Sequence, residues 1–326
     1  MRENEVSTVI KPWISIAVPS FNRADLLLRA VRSVQAQADP NWELLIIDDQ
    51  STDSAWNVAQ MLATQDKRIQ CERNAHNRGL AGNFSYAATK GQASYVLLLA
   101  ADDQLAPDFL ARMRKISMHY ADLGLLCGRR VLFYPKTKRR VPYAIPLEGQ
   151  YAPGSTVARA LANGNLYGLY SSVVMRREAL RAVGGIASDN PWAGDYEAFV
   201  RIAAREPIWF EPQAIVYQHV DHSTQTSHFL RSGQMVSYEM MTLSRLLTDS
   251  AVSRHLSPND VRNAWRRIHA LEWSVTLYRW LHGQWQPAPS PSSIAGSTHA
   301  VIPSCSLGEI AGTTLRLIYQ RWRLTY

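Results

Sequence analysis

The sequence predicts an α/β fold, a mostly parallel sheet with helices on both faces followed by a C-terminal helical region, and three observations carry that expectation. Short apolar, β-branched runs alternate with helical patterns through the first third of the chain, as a series of βα units requires. The strand-like run Tyr95–Ala101 contains no polar alternation, so it suits a strand buried on both faces. From about Leu230 onward only helical periodicity remains.

The elements follow in order. Ile14–Val18 reads as a first strand, and Pro19-Ser-Phe-Asn-Arg23 as the turn after it, with Asn22 placed to cap the next helix. Leu26, Leu27, Ala30, Val31 and Val34 fall at helical spacing. Trp42–Ile47 is a second strand that ends on two acids, Asp48 and Asp49. A turn over 50–53 leads to a helix reaching about Gln65, and Ile69–Glu72 is a third strand. The loop Asn74–Gly79 precedes a helix over Ala81–Thr89. The strand Tyr95–Ala101 also stops on two acids, Asp102 and Asp103, and Pro107 then opens a helix. Strands two and four therefore bring both acid pairs to one sheet edge, the edge where open α/β sheets bind ligands.

Beyond this, Gly124–Cys127 reads as a strand and Arg129–Arg140 as a mobile basic loop, its Arg129, Arg130, Lys136, Lys138, Arg139 and Arg140 suited to phosphate on an acceptor or to an anionic membrane surface. A short helix over Val157–Ala162, a strand over Tyr170–Met175, a Gly184-Gly185 loop, a helix from Asp195 and a strand over Ile208–Tyr217 follow. Two long helices, Gly233–Leu247 and Asn259–Leu281, lead to a linker over 286–306 and a last helix over Leu307–Leu324. We expect a catalytic domain over 1–230 and a helical region over 231–326.

Composition narrows the classes. The net charge of +8 over 326 residues favours anionic partners without choosing among them. No aromatic and basic module accompanies the charge, so no nucleic-acid partner is expected. Three scattered cysteines fit neither a disulfide framework nor a zinc site and suit a reducing cytoplasm. The polar stretch Met1–Pro12 has no apolar core of a secretory signal. Neither G-x-G-x-x-G nor G-x-x-x-x-G-K is present, which argues against dinucleotide and P-loop enzymes.

Five pieces, taken together in order and spacing, resemble family 2 inverting glycosyltransferases of the GT-A fold. They are Val18-Pro-Ser-Phe-Asn-Arg23, Asp48-Asp-Gln-Ser-Thr-Asp53, Asn77-Arg-Gly79 with Asn83 and Gly91, Leu99-Ala-Ala-Asp-Asp103, and Gly184-Gly185 leading to Gly194-Asp195 and Arg201. The resemblance covers about residues 13–225. It implies transfer of a sugar from a nucleotide-sugar donor, UDP- or dTDP-linked, to a hydroxyl of a surface-glycan acceptor, with inversion and with Mn2+ or Mg2+.

The same resemblance implies the roles of residues. Asp49 contacts the base, with Pro19, Ser20 and Asn22 beside it. Asp103 ligates the metal, and Asp102 holds the ribose or the metal. His219 and His222 stand near the diphosphate. Asp195 is the general base that takes the acceptor proton, and Arg176, Trp192 and Glu197 lie on the acceptor side, with Arg201 in support. Plainer readings exist for each: Asp48 and Asp49 could cap a turn, Asp195 could be an N-cap, and the histidines could be solvated. Two departures from the family pattern, Ala100 and Gly194, stand where many members carry acids. They keep open a non-catalytic, glycan-binding or scaffolding relative. The acceptor is expected to be lipid-linked, which would put the protein in the cytoplasm, peripheral on the inner face of the membrane. The C-terminal helices could serve that contact, pack on the catalytic domain or form a homodimer.

Overall fold

The computed structural model describes residues 11–143, 147–220, 229 and 232–281. The predicted linker over 286–306, the last helix, its membrane or dimer contacts, and His222 lie outside the described residues.

The N-terminal half alternates as expected: β1 (Ile14–Ser20), α1 (Ala24–Gln35), β2 (Trp42–Asp48), α2 (Ala55–Gln65), β3 (Ile69–Arg73), α3 (Gly79–Ala88) and β4 (Tyr95–Leu98). After it come β5 (Asp103–Leu105), α4 (Phe109–His119), β6 (Leu125–Tyr134), β7 (Arg139–Pro142), β8 (Gly149–Tyr151), α5 (Val157–Asn163), β9 (Val173–Arg176), α6 (Arg177–Ala182), α7 (Gly194–Ala203) and β10 (Ile208–His219). Three helices end the described chain, α8 (Gln234–Thr248), α9 (Ser250–Ser253) and α10 (Pro258–Leu281).

All ten strands form one sheet in the order β3-β2-β1-β4-β9-β6-β10-β5, with β7 on β6 and β8 on β10. The β3, β2, β1 and β4 strands are mutually parallel, and β6 runs parallel to β10. Between these blocks β9 is antiparallel to both neighbours. Successive residues of one strand bury on opposite faces. Ala17, Ile47 and Leu98 join a core with α3, α5, α7 and α8, while Ile16, Val18, Ile46 and Leu97 join one with α1, α2 and α4. This explains the absence of polar alternation in these strands. Leu243, Leu246, Ala264, Trp265 and Ile268 of the C-terminal helices belong to the first of these cores.

Four local expectations change. The basic stretch over 129–140 is a β-hairpin made by β6 and β7, because Val131, Leu132 and Phe133 continue the strand between the charges. The strand from Tyr95 ends at Leu98, and a turn closed by Asp103 N–H on Ala100 O (3.0 Å) sends the chain back into β5. Residues 170–172 form a 3-10 turn before β9. The α4 helix starts at Phe109, two residues after Pro107.

Candidate active site

The carboxyl ends of β1, β2 and β4 open into a cleft of about 900 Å3. Pro19, Ser20, Asn22, Asp49, Asp102, Asp103, Trp192 and Asp195 all line it. Asn77, Gly79 and Asn83 line it too, so residues from five separate motifs of the sequence meet in one place.

On one side the loops after β1, β2 and β3 knit together. Asn22 has φ +52°, a conformation asparagine tolerates better than most residues. Its side chain does not cap α1, whose N-cap is Arg23. Instead Asn22 Oδ1 accepts the Thr52 N–H at 2.8 Å, and its own N–H donates to Ser51 Oγ at 3.0 Å. Asp48 turns inward, accepting the Ser51 N–H at 3.2 Å and pairing with Arg73 at 3.1 Å. Asp49 faces the cleft. Its Oδ1 accepts from Asn74 Nδ2 (2.6 Å) and from the Arg78 N–H (2.8 Å). Asn74 is itself held by Asn83 Oδ1 at 3.0 Å. This lattice of short polar bonds fixes Asp49 while leaving its second oxygen outside those bonds.

In the middle stand Asp102 and Asp103. Asp103 is 3% exposed, and its Oδ1 is buried without a hydrogen-bond partner. Burial, then the Asp102 charge, pushes its carboxyl well above the usual carboxylate range, with Ser171, Arg130 and Arg29 pulling the other way. Arg29 of α1 donates to the Asp102 carbonyl at 3.3 Å.

Asp195 occupies the far side, in the first turn of α7 after the N-cap Ala193. It is therefore not an N-cap. It is 6% exposed, and its Oδ1 accepts the Tyr196 N–H at 2.6 Å. Burial pushes its carboxyl up to about 7. Gly194, the departure beside it, has a packing reason: a Cβ there would sit 3.0 Å from Ala187 O and 3.3 Å from the Tyr170 hydroxyl.

Three expected site residues lie elsewhere. Arg176 pairs with Tyr95 across the sheet, at the amino end of β4 and so at the edge opposite the cleft, where it bonds Glu206 and Glu178. Its neighbour Arg177 is turned to Ala93 O and Ser15 Oγ. Glu197, two residues from Asp195, points to the other side of α7. There it is buried against Arg201 (2.8 Å) and Arg245 (3.5 Å), so Arg201 serves this ion pair rather than the cleft. His219 stands outside the cleft wall. Its ring packs on Phe133 at 4.9 Å and its Nε2 meets Gln104 Oε1 at 2.7 Å, while the preceding residue, Gln218, lines the cleft. Burial and Arg29 push its imidazole down to about 4, which keeps it uncharged at neutral pH.

The structure adds residues that the motifs do not contain. Arg130 of β6 lines the cleft with its guanidinium 4.0 Å from the Tyr143 ring centroid, and its charge acts on both Asp103 and Asp195. Ser171, Tyr170 and Glu239 also line the cleft. Strand alternation through the basic run was the one signal that could have found Arg130.

Comparison with known proteins gives the family and the fold. The family model described as Glycosyl transferase family 2 matches residues 15–184. A GalNAc(5)-diNAcBac-PP-undecaprenol beta-1,3-glucosyltransferase of Campylobacter jejuni is 34% identical over 112 residues, 34% of this chain and 36% of that protein. The match thus spans about a third of that relative's length. Among solved structures, S. aureus TarS 1-349 in complex with UDP-GlcNAc superposes with a TM-score of 0.61 at 14% identity, over 83% of this chain and 87% of that one. Mannosyltransferase PcManGT from Pyrobaculum calidifontis, in complex with GDP-Man and Mn2+, gives 0.59 at 16% identity, over 96% and 83%. These two likenesses establish the fold. Among the described residues no helix is long and apolar enough to cross a membrane.

Proposed function

This chain belongs to glycosyl transferase family 2, and on that premise we propose that it moves a sugar from a nucleotide-diphosphate sugar to a hydroxyl of a surface-glycan acceptor with inversion, Asp195 acting as general base. The single observation that carries this reading is the Asp195 carboxyl, buried yet lining the cleft and raised to about 7. A base with that proton affinity is ionised in a useful fraction at neutral pH and strong enough to take a hydroxyl proton in the transition state. As the acceptor oxygen bonds the anomeric carbon, its proton passes to Asp195. The bond from that carbon to the diphosphate oxygen breaks, and the nucleoside diphosphate leaves.

Hydrogen bonds cross-link the loops of the donor half of the cleft, which lowers the ordering cost of binding. The Asp49 oxygen left outside the Asn74 and Arg78 bonds is an acceptor for a base N–H, with Pro19, Ser20 and Asn22 forming the rim. Half-buried Arg130 in the cleft lining offers a positive charge that acts on both Asp103 and Asp195. Asp103 and Asp102 fit a hard divalent cation, since they are oxygen donors and the buried Asp103 Oδ1 lacks a partner. Mn2+ or Mg2+ held there would neutralise the diphosphate and favour its departure. The Campylobacter relative is named for an undecaprenyl-diphosphate acceptor, and this supports a lipid-linked acceptor here and peripheral work at the inner face of the membrane. UDP is our first choice of donor nucleotide and dTDP the second.

Calorimetric titration with UDP, dTDP and GDP, each with and without Mn2+, tests the reading. A Mn2+-dependent signal with one nucleotide is expected. Folded protein that binds none of them would overturn the transferase in favour of a glycan-binding relative.

A further inference from the structure

The C-terminal helices reach the cleft through Glu239 of α8, a residue beyond the segment matched by the family model. One Glu239 oxygen accepts the Trp192 indole N–H at 3.1 Å. The other meets the Arg267 guanidinium of α10 at 2.9 Å. Arg267 is deeply buried, its side chain 7% exposed, and it also donates to Leu161 O of α5 at 2.9 Å. Its guanidinium lies 6.0 Å from the ring of Tyr196, the residue after Asp195. A continuous chain of polar contacts thus runs from α5 through Arg267 and Glu239 to an indole in the cleft wall.

Stability alone is a poor account of this chain. A buried arginine–carboxylate pair loses much hydration, and apolar residues of similar volume in its place are often neutral or stabilising. Two consequences are specific to the pair. The indole is fixed in one orientation by its N–H, with its ring edge-on to Phe229 at 5.7 Å. A fixed negative charge also stands on the same cleft wall as Asp195. We infer that Glu239 is a positioning residue of the transfer reaction, which locks Trp192 as a rigid wall on the Asp195 side of the cleft and holds a negative charge beside that base. The inference rests on the reading of Asp195 as the base. Asp195 is faced by Tyr170 from the turn before β9, by Arg130 from β6 and by Glu239 from α8, with Tyr196 adjoining it on α7. Burial is the main cause of its raised proton affinity, Glu239 adds to it, and Arg130 opposes it.

The test is an NMR pH titration of the full chain, labelled with 13C at the aspartate carboxyls and 15N at the indoles. The carboxyl signal absent from Asp195→Asn identifies Asp195, and the indole signal absent from Trp192→Phe identifies Trp192. The wild type is expected to titrate at about 7. In Glu239→Gln the midpoint should fall by about 0.5–1 unit, because a like charge has gone, and the Trp192 indole signal should shift. A midpoint that stays in place in Glu239→Gln overturns the role of Glu239 and leaves the base intact. A wild-type midpoint near that of an ordinary carboxylate overturns the base and this inference with it. If the lone buried Arg267 prevents folding of Glu239→Gln, the double variant Glu239→Gln/Arg267→Met, uncharged on both sides, is titrated with the same expectations, since Glu239 is the member of the pair whose charge acts on Asp195.

Discussion

Replacing Asp195 by Asn should leave the protein less active and more stable, with a stability gain that grows with pH. Asn has nearly the same shape, and its side-chain oxygen can still accept the Tyr196 N–H now made at 2.6 Å. What changes is the charge. Burial raises the Asp195 carboxyl from 3.8 to about 7. For an acid whose folded value lies above its unfolded one, the folded state binds the proton more tightly, so stability falls as pH rises between the two values. At about 1.4 kcal/mol per unit, the cost is about 2 kcal/mol near pH 5 and levels off at about 4 kcal/mol above pH 7. The variant escapes this cost. Its advantage in thermal unfolding should therefore widen by about 2–3 kcal/mol between about pH 5 and about pH 8.5, several degrees in Tm. All other titrating groups are shared, so the difference between the two proteins isolates this one. Scanning calorimetry of both proteins at the two pH values is the assay. A difference in stability that is constant or narrows with rising pH would refute the claim that Asp195 is held with a raised proton affinity.

Three further outcomes follow from the same geometry. Asp49→Ala removes the acceptor of two short bonds, at 2.6 and 2.8 Å, and the contact to the nucleotide base proposed above. Its nucleotide Kd, read by calorimetry, should weaken about 10–100-fold, and an unchanged Kd would take the base away from Asp49. Arg176→Ala, at the opposite sheet edge with Glu206, should leave that Kd unchanged and cost about 1 kcal/mol in urea unfolding; a loss of nucleotide binding would return Arg176 to the site. Gly154→Ala should lower stability by about 2 kcal/mol or more. Its φ is +78° and an added Cβ would fall 2.2 Å from the His255 ring, so a neutral result would mean that His255 moves freely.

Much of the sheet and half of the site were legible because their physics is local. Strands buried on both faces must be largely apolar, so strands over Ile14–Val18 and from Tyr95 were legible, and they form as Ile14–Ser20 and Tyr95–Leu98. Acids that end such strands must emerge at one edge, so the sequence already places Asp49, Asp102 and Asp103 together. What failed depended on direction and on distant partners. Arg176 follows a strand as an acid does, but β9 runs antiparallel to β4, so its carboxyl end lies at the far edge. Glu197 is separated from Asp195 by two residues, which on a helix points it to the other side, and no local rule reveals that Arg201 and Arg245 wait there. The basic run over 129–140 concealed a strand because its charges outnumber its apolar residues. Glu239 looked like any acid on an amphipathic helix, since its partners Trp192 and Arg267 lie 47 and 28 residues away.

The most direct measurement of the central claim is the anomeric configuration of the sugar first released from the bound donor, with water as acceptor, followed by 1H NMR in the wild type and in Asp195→Asn. An α-linked donor should yield the β anomer first, and Asp195→Asn should lose about 100-fold or more of this rate while calorimetry shows nucleotide binding retained. Release of the α anomer first, or an undiminished rate in Asp195→Asn, would contradict that claim.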